Sequence, residues 1–535
     1  MYFSREEFSD EERGILSNFF TNVDGPVFAL INLPETVKAA LFARYSRTNK
    51  SLRRLFLDEF YDSASSIGSA IVTTVGLKRS EKLFDRVILE YGDDSVAQLG
   101  GVHVACEQVS NVLTKVLERS RLMSFLEQST RYLNFGDRNS SGRFRYVVPD
   151  EVVSTEFEQL YEERMNGLFE SYISIQGRVF EHFVERYGDP QEPEVVRSLR
   201  AVAFDTARGV LPVGTLSNLG IYGTPQSYEY LVMRLRAHPL SEANVFAELI
   251  LNELQKVIPS FLSRLDRPDR GGVWVEYRSK KRRRVSAIVD ELAAGVVVAD
   301  RSNDSSVRLI AFDSQAENKI LEAIVFEYSG LANEEVSVLV EALSEEERLR
   351  LFQEYLGERE NRRHKPGRAF EVANYTFEIV SDYGAFRDLQ RHRMLTPEWV
   401  GIDPVLGYVV PELVKQAQQI DPYTHAMRST KDLYDLLAKH ISREVAAYVV
   451  PMAYRIRFRL HVNARELMHL VELRSQAAGH ENYRRIAQSM HQLIGNIAEH
   501  NLVSEAMSYV DYGNYELGRL QDERENEIKR LKNSN

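Results

Sequence analysis

A chain of 535 residues is too long for one ordinary hydrophobic core, so two or more domains are expected. Its 44% hydrophobic and 27% charged residues are typical of a globular protein, and its apolar runs are too short to cross a bilayer. The net charge of −11 argues against broad nucleic-acid binding, and a single cysteine excludes internal disulfides and indicates a reducing, cytoplasmic location.

The first predicted elements are a strand and a helix. Residues 27–46 (VFALINLPETVKAALFARYS) read as a short apolar strand, a Pro-Glu helix start and an amphipathic helix. A helical run, Val102–Leu117, then leads into the segment Arg119–Tyr132 (RSRLMSFLEQSTRY), where three arginines stand among hydroxyl, amide and carboxylate side chains. Because guanidinium groups pair well with phosphate, this density predicts a site for an anionic, hydrogen-bonding ligand.

The second half repeats this plan. Residues 308–329 again read as a strand and a helix, with Asp313 or Ser314 as the N-cap. The helical run Phe370–Leu389 then precedes a second arginine motif, Arg391–Thr396 (RHRMLT). Further landmarks recur in the same order: YVVP at 146–149 and 408–411, RGVLP at 208–212 and AYVVP at 447–451, and a Leu-Arg pair at 235–236 and 473–474, each followed by a predicted helix of about 20 residues.

This order of landmarks indicates a tandem duplication. We expect an α+β fold with two related domains, 1–270 and 285–535, each a small twisted antiparallel sheet flanked by long helices. The join holds the basic run Arg278–Arg284, which reads either as a nucleic-acid or phosphate patch or as a solvated linker. The charged tail Arg519–Lys532 reads as an exposed helix.

The segment Arg119–Tyr132 resembles the signature of the flavin-dependent thymidylate synthases. That signature is Arg-His-Arg, two residues, Ser, and then Asn-Glu-x-Ser-x-Arg-Tyr; Ser120 replaces the His and Leu126 replaces the Asn. Upstream, residues 92–98 (GDDSVAQ) are similar to the family's Gly-His-x-Ser-x-x-Glu box, with the His and Glu positions changed. The first half is therefore a diverged copy of the family pattern.

The second half resembles the same family through other residues. Arg391–Arg393 keeps Arg-His-Arg, but the signature then diverges, with Asp403 where an Arg is expected. The segment Asn463–Arg474 (NARELMHLVELR) closely resembles the family's Asn-Ala-Arg-x-Leu-x-x-Phe-Leu-x-Leu-Arg. Asp388 stands where the family usually has Gln.

The resemblance implies reductive methylation of dUMP to dTMP, with FAD as cofactor, methylenetetrahydrofolate as carbon donor and NADPH as reductant. It implies dUMP contacts from both halves: Glu127, Gln128, Ser129, Arg131, Arg208, Arg391 and Arg474. It implies FAD contacts from the second half: His392, Arg393, Asn463, Arg465 and His469. Arg474 is the implied catalytic residue, which stabilises charge on the uracil ring, and no metal is expected. The only thiol, Cys106, lies in an apolar stretch and reads as a core residue, so the chain has no convincing thiolate nucleophile.

Each half retains about what the other lacks. Pro225–Ser227 stand in place of the Asn-Ala-Arg box in the first half, and Ala447 stands in place of Arg208 in the second. The family's sites form between subunits of a homotetramer. We therefore expect one composite site between the two repeats, and a homodimer that forms a pseudo-tetramer.

Several alternatives stay open. The departures from the signature, Asp388 among them, are compatible with a non-catalytic nucleotide- or flavin-binding paralogue that has a regulatory or scaffolding role. Ser129 could be only a turn hydroxyl, and Glu127 and Arg131 could pair with each other on a surface. His469 could be a core imidazole.

Overall fold

A computed structural model describes residues 3–61, 100–139, 141–187, 191–296 and 305–515. Two predicted segments, the box at 92–98 and the charged tail Arg519–Lys532, lie outside these residues. No helix among the described residues is long and apolar enough to cross a membrane.

The described chain alternates strands and helices. The strands are β1 (Val27–Ala29), β2 (Val102–Ser110), β3 (Met123–Glu127), β4 (Leu216–Gly223), β5 (Ser306–Phe312), β6 (Asn374–Asp382), β7 (Leu395–Trp399) and β8 (Arg455–Asn463). The helices before β5 are α1 (Asp10–Leu16), α2 (Glu35–Tyr45), α3 (Leu52–Glu59), α4 (Asn111–Leu117), α5 (Glu158–Tyr187), α6 (Pro193–Ala207), α7 (Pro225–Arg236), α8 (Ser241–Gln255), α9 (Pro259–Leu262) and α10 (Val273–Ala293). The helices after β5 are α11 (Ala316–Ser329), α12 (Asn333–Ala342), α13 (Glu345–Leu356), α14 (Tyr383–Leu389), α15 (Glu412–Gln416), α16 (Ile420–His440), α17 (Arg443–Ala446), α18 (Ala464–Arg474), α19 (Glu481–Asn496) and α20 (Asn501–Ala506).

The strands form two four-stranded antiparallel sheets with the same topology. The first sheet has the order β1-β2-β4-β3 and the second has the order β5-β6-β8-β7. Each strand of one sheet therefore has a counterpart at the same place in the other. The predicted α+β class and the tandem duplication are confirmed.

Corresponding strands pass into corresponding helices through polar caps. Ser110 ends β2 and accepts a hydrogen bond from the backbone N–H of Leu113 at 3.0 Å, and Asp382 ends β6 and accepts one from Ala385 at 2.9 Å. Asn463 does the same where β8 passes into α18. An N-cap satisfies a backbone donor that would otherwise lack a partner, so each helix begins at a fixed residue beside its sheet.

Three local predictions were wrong. Val102–Leu117 and Phe370–Leu389 are not continuous helical runs, because each contains a nine-residue strand, β2 or β6, before its short helix. Helix α11 has Gln315 as its N-cap, and Asp313 accepts a hydrogen bond from the Gln315 backbone instead. The helices after the two Leu-Arg pairs have 15 and 16 residues, fewer than the predicted 20.

The chain forms two compact units, and neither is one uninterrupted half. The first unit comprises Met1–Gly177, Thr206–Arg301 and Gln418–Pro451. The second comprises Arg178–Asp205, Ser302–Ala417 and Met452–Asn535. Sheet β1–β4 belongs to the first unit and sheet β5–β8 to the second. The repeat boundaries at 270 and 285 describe duplicated sequence and stay a prediction.

Within the first unit, two matching segments of the repeats pair with each other. The backbone N–H of Val213 donates to the carbonyl of Val450 at 2.9 Å, and that of Gly214 donates to Tyr448 at 2.8 Å. An added Cβ on Gly214 would lie 2.7 Å from the Tyr448 carbonyl oxygen, so this close approach requires glycine. The Val-Leu-Pro and Val-Val-Pro landmarks thus form part of one folded core.

The basic join is a helix and not an irregular linker. Helix α10 contains the run Arg278–Arg284 and has no buried residue. Arg282 lies 3.6 Å from Glu444 and Lys280 lies 2.5 Å from Glu276. The expectation of a solvated segment agrees with this exposure.

Candidate active site

In the second unit, the Asn-Ala-Arg box and the Arg-His-Arg motif meet at the start of helix α18. Asn463 is the last residue of β8, and its Oδ1 accepts a hydrogen bond from the backbone N–H of Glu466 at 2.9 Å. His392 follows helix α14, its backbone N–H donates to the Leu389 carbonyl at 3.2 Å, and it is only 6% exposed. The cap and the turn bring His392 to the first turn of α18.

A hydrogen-bond chain joins three side chains there. His392 Nδ1 lies 2.8 Å from Glu466 Oε1, and Arg474 Nε lies 3.0 Å from His392 Nε2. Glu466 and Arg474 are at opposite ends of α18, about 12 Å apart along the axis at 1.5 Å per residue. Side chains in a helix point back towards its N-terminus, so the long Arg474 side chain reaches His392 across the last turns.

The chain of contacts defines the protonation of His392. An arginine Nε can only donate, so His392 Nε2 must accept, and the ring proton lies on Nδ1 facing the Glu466 carboxylate. Burial is the main cause that lowers the pKa of His392, and the Arg474 charge lowers it further, whereas the Glu466 carboxylate raises it. The imidazole is therefore neutral near neutral pH.

His469 lies one helical turn beyond Glu466. Its ring centroid is 5.4 Å from that of His392, and burial lowers its pKa to about 4. The described residues provide no hydrogen-bond partner for its ring nitrogens, so both are open to a ligand. This partly buried position does not favour the alternative of a satisfied core imidazole.

His392, Glu466 and His469 are also residue types that bind metals. Their ligand atoms lie within 4.8 Å of one another. However, Arg474 Nε donates to His392 Nε2, the Arg474 charge lowers the pKa of His392, and the Lys365 charge lowers the pKa of both histidines. Positive charge at this point opposes a second cation, so hydrogen bonding is the better account of the cluster.

The arginines near His392 contact carboxylates and a backbone carbonyl. Asp388 Oδ1 lies 3.9 Å from Arg391 Nη1 and 3.9 Å from Arg474 Nη1, so the structure brings these two predicted dUMP ligands to one carboxylate. Arg465 Nε donates to the Pro366 carbonyl at 2.9 Å, and its Nη1 lies 3.4 Å from Glu371. Arg393 is exposed.

In the first unit, the predicted dUMP residues continue from the end of β3. The Glu127 carboxylate is buried, and its Oε2 lies 2.9 Å from Lys115 Nζ, which also contacts Glu118. A surface pair between Glu127 and Arg131 does not describe this position, because the Glu127 side chain is fully buried. Gln128 Nε2 donates to the Thr48 carbonyl at 2.7 Å.

Ser129 and Arg131 are partly buried. Ser129 Oγ accepts a hydrogen bond from the Arg131 backbone N–H at 3.2 Å, which is the geometry of a turn hydroxyl. The Arg131 guanidinium lies 5.4 Å from the ring centroid of Tyr132. Arg208 lies in a separate segment, the 3₁₀ turn Arg208–Val210, and is 4% exposed.

Among the described residues of the first repeat, no histidine contacts the corresponding arginine. Ser120, at the position of His392, accepts from Arg234 Nη2 at 3.0 Å. Arg236 ends α7 as Arg474 ends α18, but it pairs with Glu248 at 2.6 Å and Asp266 at 2.9 Å. Cys106 is buried in β2 and burial raises the pKa of its thiol, as expected for a core cysteine.

Sequence reasoning missed Glu466 and Lys115. The pattern Asn463-x-x-Glu466 is typical of a helix N-terminus, which explains Glu466 without a ligand. A second signal was present in the i,i+3 spacing of Glu466 and His469, which places both on one helix face. Lys115 gave no signal, because a lysine in an apolar helix is normally placed at the surface.

The family model for the thymidylate synthase complementing proteins matches residues 37–260 and 308–499. These two blocks cover most of the chain and correspond to the two repeats. The chain belongs to the thymidylate synthase complementing protein family.

Two known proteins are similar to this chain over nearly its whole length, and a third is similar over part of it. A UPF0159 protein of Chlamydia muridarum is 37% identical over 530 residues, covering 97% of this chain and 98% of the relative. A UPF0159 protein of Thermoplasma acidophilum is 29% identical, covering 92% of this chain and 99% of its own length. A flavin-dependent thymidylate synthase of Campylobacter jejuni is 24% identical over 172 residues, covering 29% of this chain and 80% of its own.

A solved structure is similar to part of the chain. A UMP/dUMP methylase PolB from Streptomyces cacaoi, bound with 5-Br dUMP, is 20% identical and has a TM-score of 0.33. The similarity covers 39% of this chain and 96% of that one.

Proposed function

We propose that this protein is a flavin-dependent thymidylate synthase that converts dUMP to dTMP in the cytoplasm. The carbon of methylenetetrahydrofolate joins uracil C5, the C5 proton leaves, and two electrons from NADPH reduce the transferred carbon to a methyl group. The observation that carries the proposal is the 3.0 Å contact between Arg474 and His392, which unites two family motifs 82 residues apart.

The residues of the second unit fit FAD as a cofactor. Arg391 and Arg393 flank His392, and Arg362 and Lys365 are close enough for their charges to lower the pKa of His469. This cationic set suits a pyrophosphate, and the open nitrogens of His469 suit a polar ring edge. When bound, reduced FAD would supply the hydride equivalent for the methyl group.

We assign the protein's residues to binding and electrostatic roles. His392, Arg393, Asn463, Arg465 and His469 would hold FAD. Glu127, Gln128, Ser129, Arg131, Arg208 and Arg391 would hold dUMP, and Arg474 would stabilise negative charge on the uracil ring. The complementary losses in the two repeats support a composite site, with a homodimer equivalent to the family's homotetramer.

One observation favours a second candidate function. Asp388 places a carboxylate 3.9 Å from both Arg391 and Arg474, where it would compete with an anionic substrate. A non-catalytic paralogue that binds nucleotide or flavin would tolerate this competition. Its role would be regulatory or structural.

Two measurements on the full-length protein test the proposal. Purified protein should show flavin absorption or take up added FAD, and with dUMP tritiated at C5, methylenetetrahydrofolate and NADPH it should release tritium and form dTMP. Flavin binding without tritium release would favour the paralogue. Absence of both would reject a flavin-dependent enzyme.

A further inference from the structure

We infer that Glu466 and His392 are positioning residues that fix the guanidinium plane of Arg474 for the uracil ring, an inference that rests on the proposed function. Neither the family signature nor the proposed ligand contacts gives Glu466 a role. The inference depends on which atoms of Arg474 are engaged and on what engages them.

The anchor uses the inner nitrogen of the guanidinium. His392 accepts from Arg474 Nε at 3.0 Å, so this contact uses only the inner nitrogen of the guanidinium and none of the Nη1 and Nη2 hydrogens. Arginine has a high rotamer entropy, so an unanchored side chain would present this donor edge in many orientations. Fixing Nε removes that freedom before the substrate binds.

The anchor is also neutral. A carboxylate in direct contact with Arg474 would form a bidentate pair with the guanidinium and cancel its charge, as Glu248 does with Arg236 at 2.6 Å and 2.9 Å. Asp388 Oδ1 lies farther away, 3.9 Å from Arg474 Nη1. A neutral imidazole accepts one hydrogen bond and adds no negative charge. The same residue type is thus held in two ways, and only one of them preserves electrostatic stabilisation of the ring.

Glu466 sets the tautomer that makes this anchor possible. The Nδ1–H of His392 donates to Glu466 Oε1 at 2.8 Å, which keeps the Nε2 lone pair free for Arg474. Without the carboxylate, the proton could move to Nε2, where it would face the Arg474 Nε–H. Three charged or titratable groups on α18 surround His392: Glu466, His469 and Arg474. Lys365, in the loop after α13, acts on His392 through its charge. Asp388, on α14, lies 3.9 Å from Arg474.

The first repeat has lost both parts of this anchor. Ser120 replaces His392, and Ser227 is the third residue of α7, where α18 has Glu466. Arg236 is correspondingly paired with surface carboxylates. The repeat that lacks counterparts of His392 and Glu466 is thus also the repeat in which the arginine, Arg236, forms ion pairs.

Nitrogen NMR of the ligand-free protein tests the anchor directly. Full-length protein labelled at histidine ¹⁵N should show His392, assigned from its loss in His392→Asn, with the proton on Nδ1. In Glu466→Leu the proton should move wholly or partly to Nε2. A wild-type proton on Nε2, or a tautomer unchanged in Glu466→Leu, would overturn the inference.

Single-turnover tritium release tests whether the anchor is used. Glu466→Leu should slow release about tenfold to a hundredfold without weakening dUMP binding, the scale known for removing the hydrogen-bond partner of a metal-bound histidine. In Glu466→Gln, which keeps the side-chain shape, the acid limb of the rate should move to lower pH, because the carboxylate raises the pKa of His392. The exposed Glu481→Gln should change neither quantity.

An unchanged rate and pH profile in both Glu466 variants would overturn the positioning role. Failure of the wild type to release tritium would instead reject the proposed function. In that case the NMR experiment still tests whether Glu466 sets the His392 tautomer that accepts the hydrogen bond from Arg474.

Discussion

Arg236 and Arg474 are the last residues of corresponding helices, yet different groups hold their side chains. Arg236 contacts Glu248, Asp266 and the Leu265 carbonyl, and the hydrogen bond that it donates to Glu248 is the main cause that raises its pKa. Arg474 donates to a neutral imidazole, lies 3.9 Å from Asp388 and lies 5.8 Å from the Tyr483 ring centroid. Arg236 is therefore held by a direct bidentate ion pair, whereas Arg474 is held at Nε by an uncharged ring.

This difference shows how a duplicated site can be divided. The first repeat keeps Glu127, Ser129, Arg131 and Arg208 but holds Arg236 in ion pairs. The second keeps the histidine-anchored arginine but has Ala447 at the place of Arg208. Under the proposed composite site, each copy could lose the residues that the other copy supplies.

The largest expected effect comes from removing the two arginines separately. Arg474→Ala should lower the rate of tritium release by about a thousandfold, the scale expected when a charge-stabilising donor is lost. Arg236→Ala should leave the rate within about twofold, because it removes contacts to Glu248, Asp266 and the Leu265 carbonyl that have no part in the proposed site. Equal losses in the two variants would contradict the proposed division.

The second comparison concerns Arg121 and Arg393, the last residues of the Arg-Ser-Arg and Arg-His-Arg motifs. Arg393→Ala should weaken FAD binding about tenfold to a hundredfold, because it removes a charge-assisted hydrogen bond. Arg121→Ala, the exposed counterpart in Arg-Ser-Arg, should not change it. Absorbance titration with FAD measures both, and equal weakening would show that the first motif also holds flavin.

A third comparison concerns dUMP. Arg131→Ala should raise the dissociation constant of dUMP about tenfold, since a phosphate contact is lost. Asp403→Ala is the matched control, because Asp403 stands at that place in the second repeat and accepts only a local hydrogen bond from Val405 at 2.9 Å. Calorimetric titration would contradict the assignment if Arg131→Ala bound dUMP as tightly as the wild type.

The smallest expected effect is the pH dependence of stability at His469. Its pKa of about 4 lies below the ordinary 6.5, so the unfolded chain takes up this proton first as pH falls. His469 therefore lowers the free energy of unfolding between pH 6.5 and about 4, by up to about 1.4 kcal/mol per pH unit. Urea unfolding should show a shallower slope over this range in His469→Asn; an equal slope would contradict the buried, neutral state.

The sequence was sufficient to predict the repeat. Recurring landmarks predicted two related sheets, and the strand orders confirm them. The strands β2 and β6 were read as helical because they are buried on both faces, and such strands lack the alternating pattern that marks a half-exposed strand. Their type is fixed by pairing with β4 and β8, which are distant in the sequence.

The site residues were predictable as types but not as contacts. The sequence gives His392 and Arg474 from family motifs, whereas their 3.0 Å contact depends on how α14 and α18 pack. The ion pairs of Arg236 with Glu248 and Asp266 could likewise not be predicted from the sequence, since both partners lie outside any motif. The two compact units, each built from three separate segments, were not predicted either. A repeat shows which segments have similar sequences, but it does not show which segments pack together.

The number of FAD molecules bound per chain tests the divided site most directly. Titration of the full-length protein with FAD, followed by absorbance of the bound flavin, should reach saturation at one FAD per chain, held by the second repeat. Two FAD molecules per chain would show that the first repeat also keeps a flavin site, and would contradict the division proposed for Arg236 and Arg474.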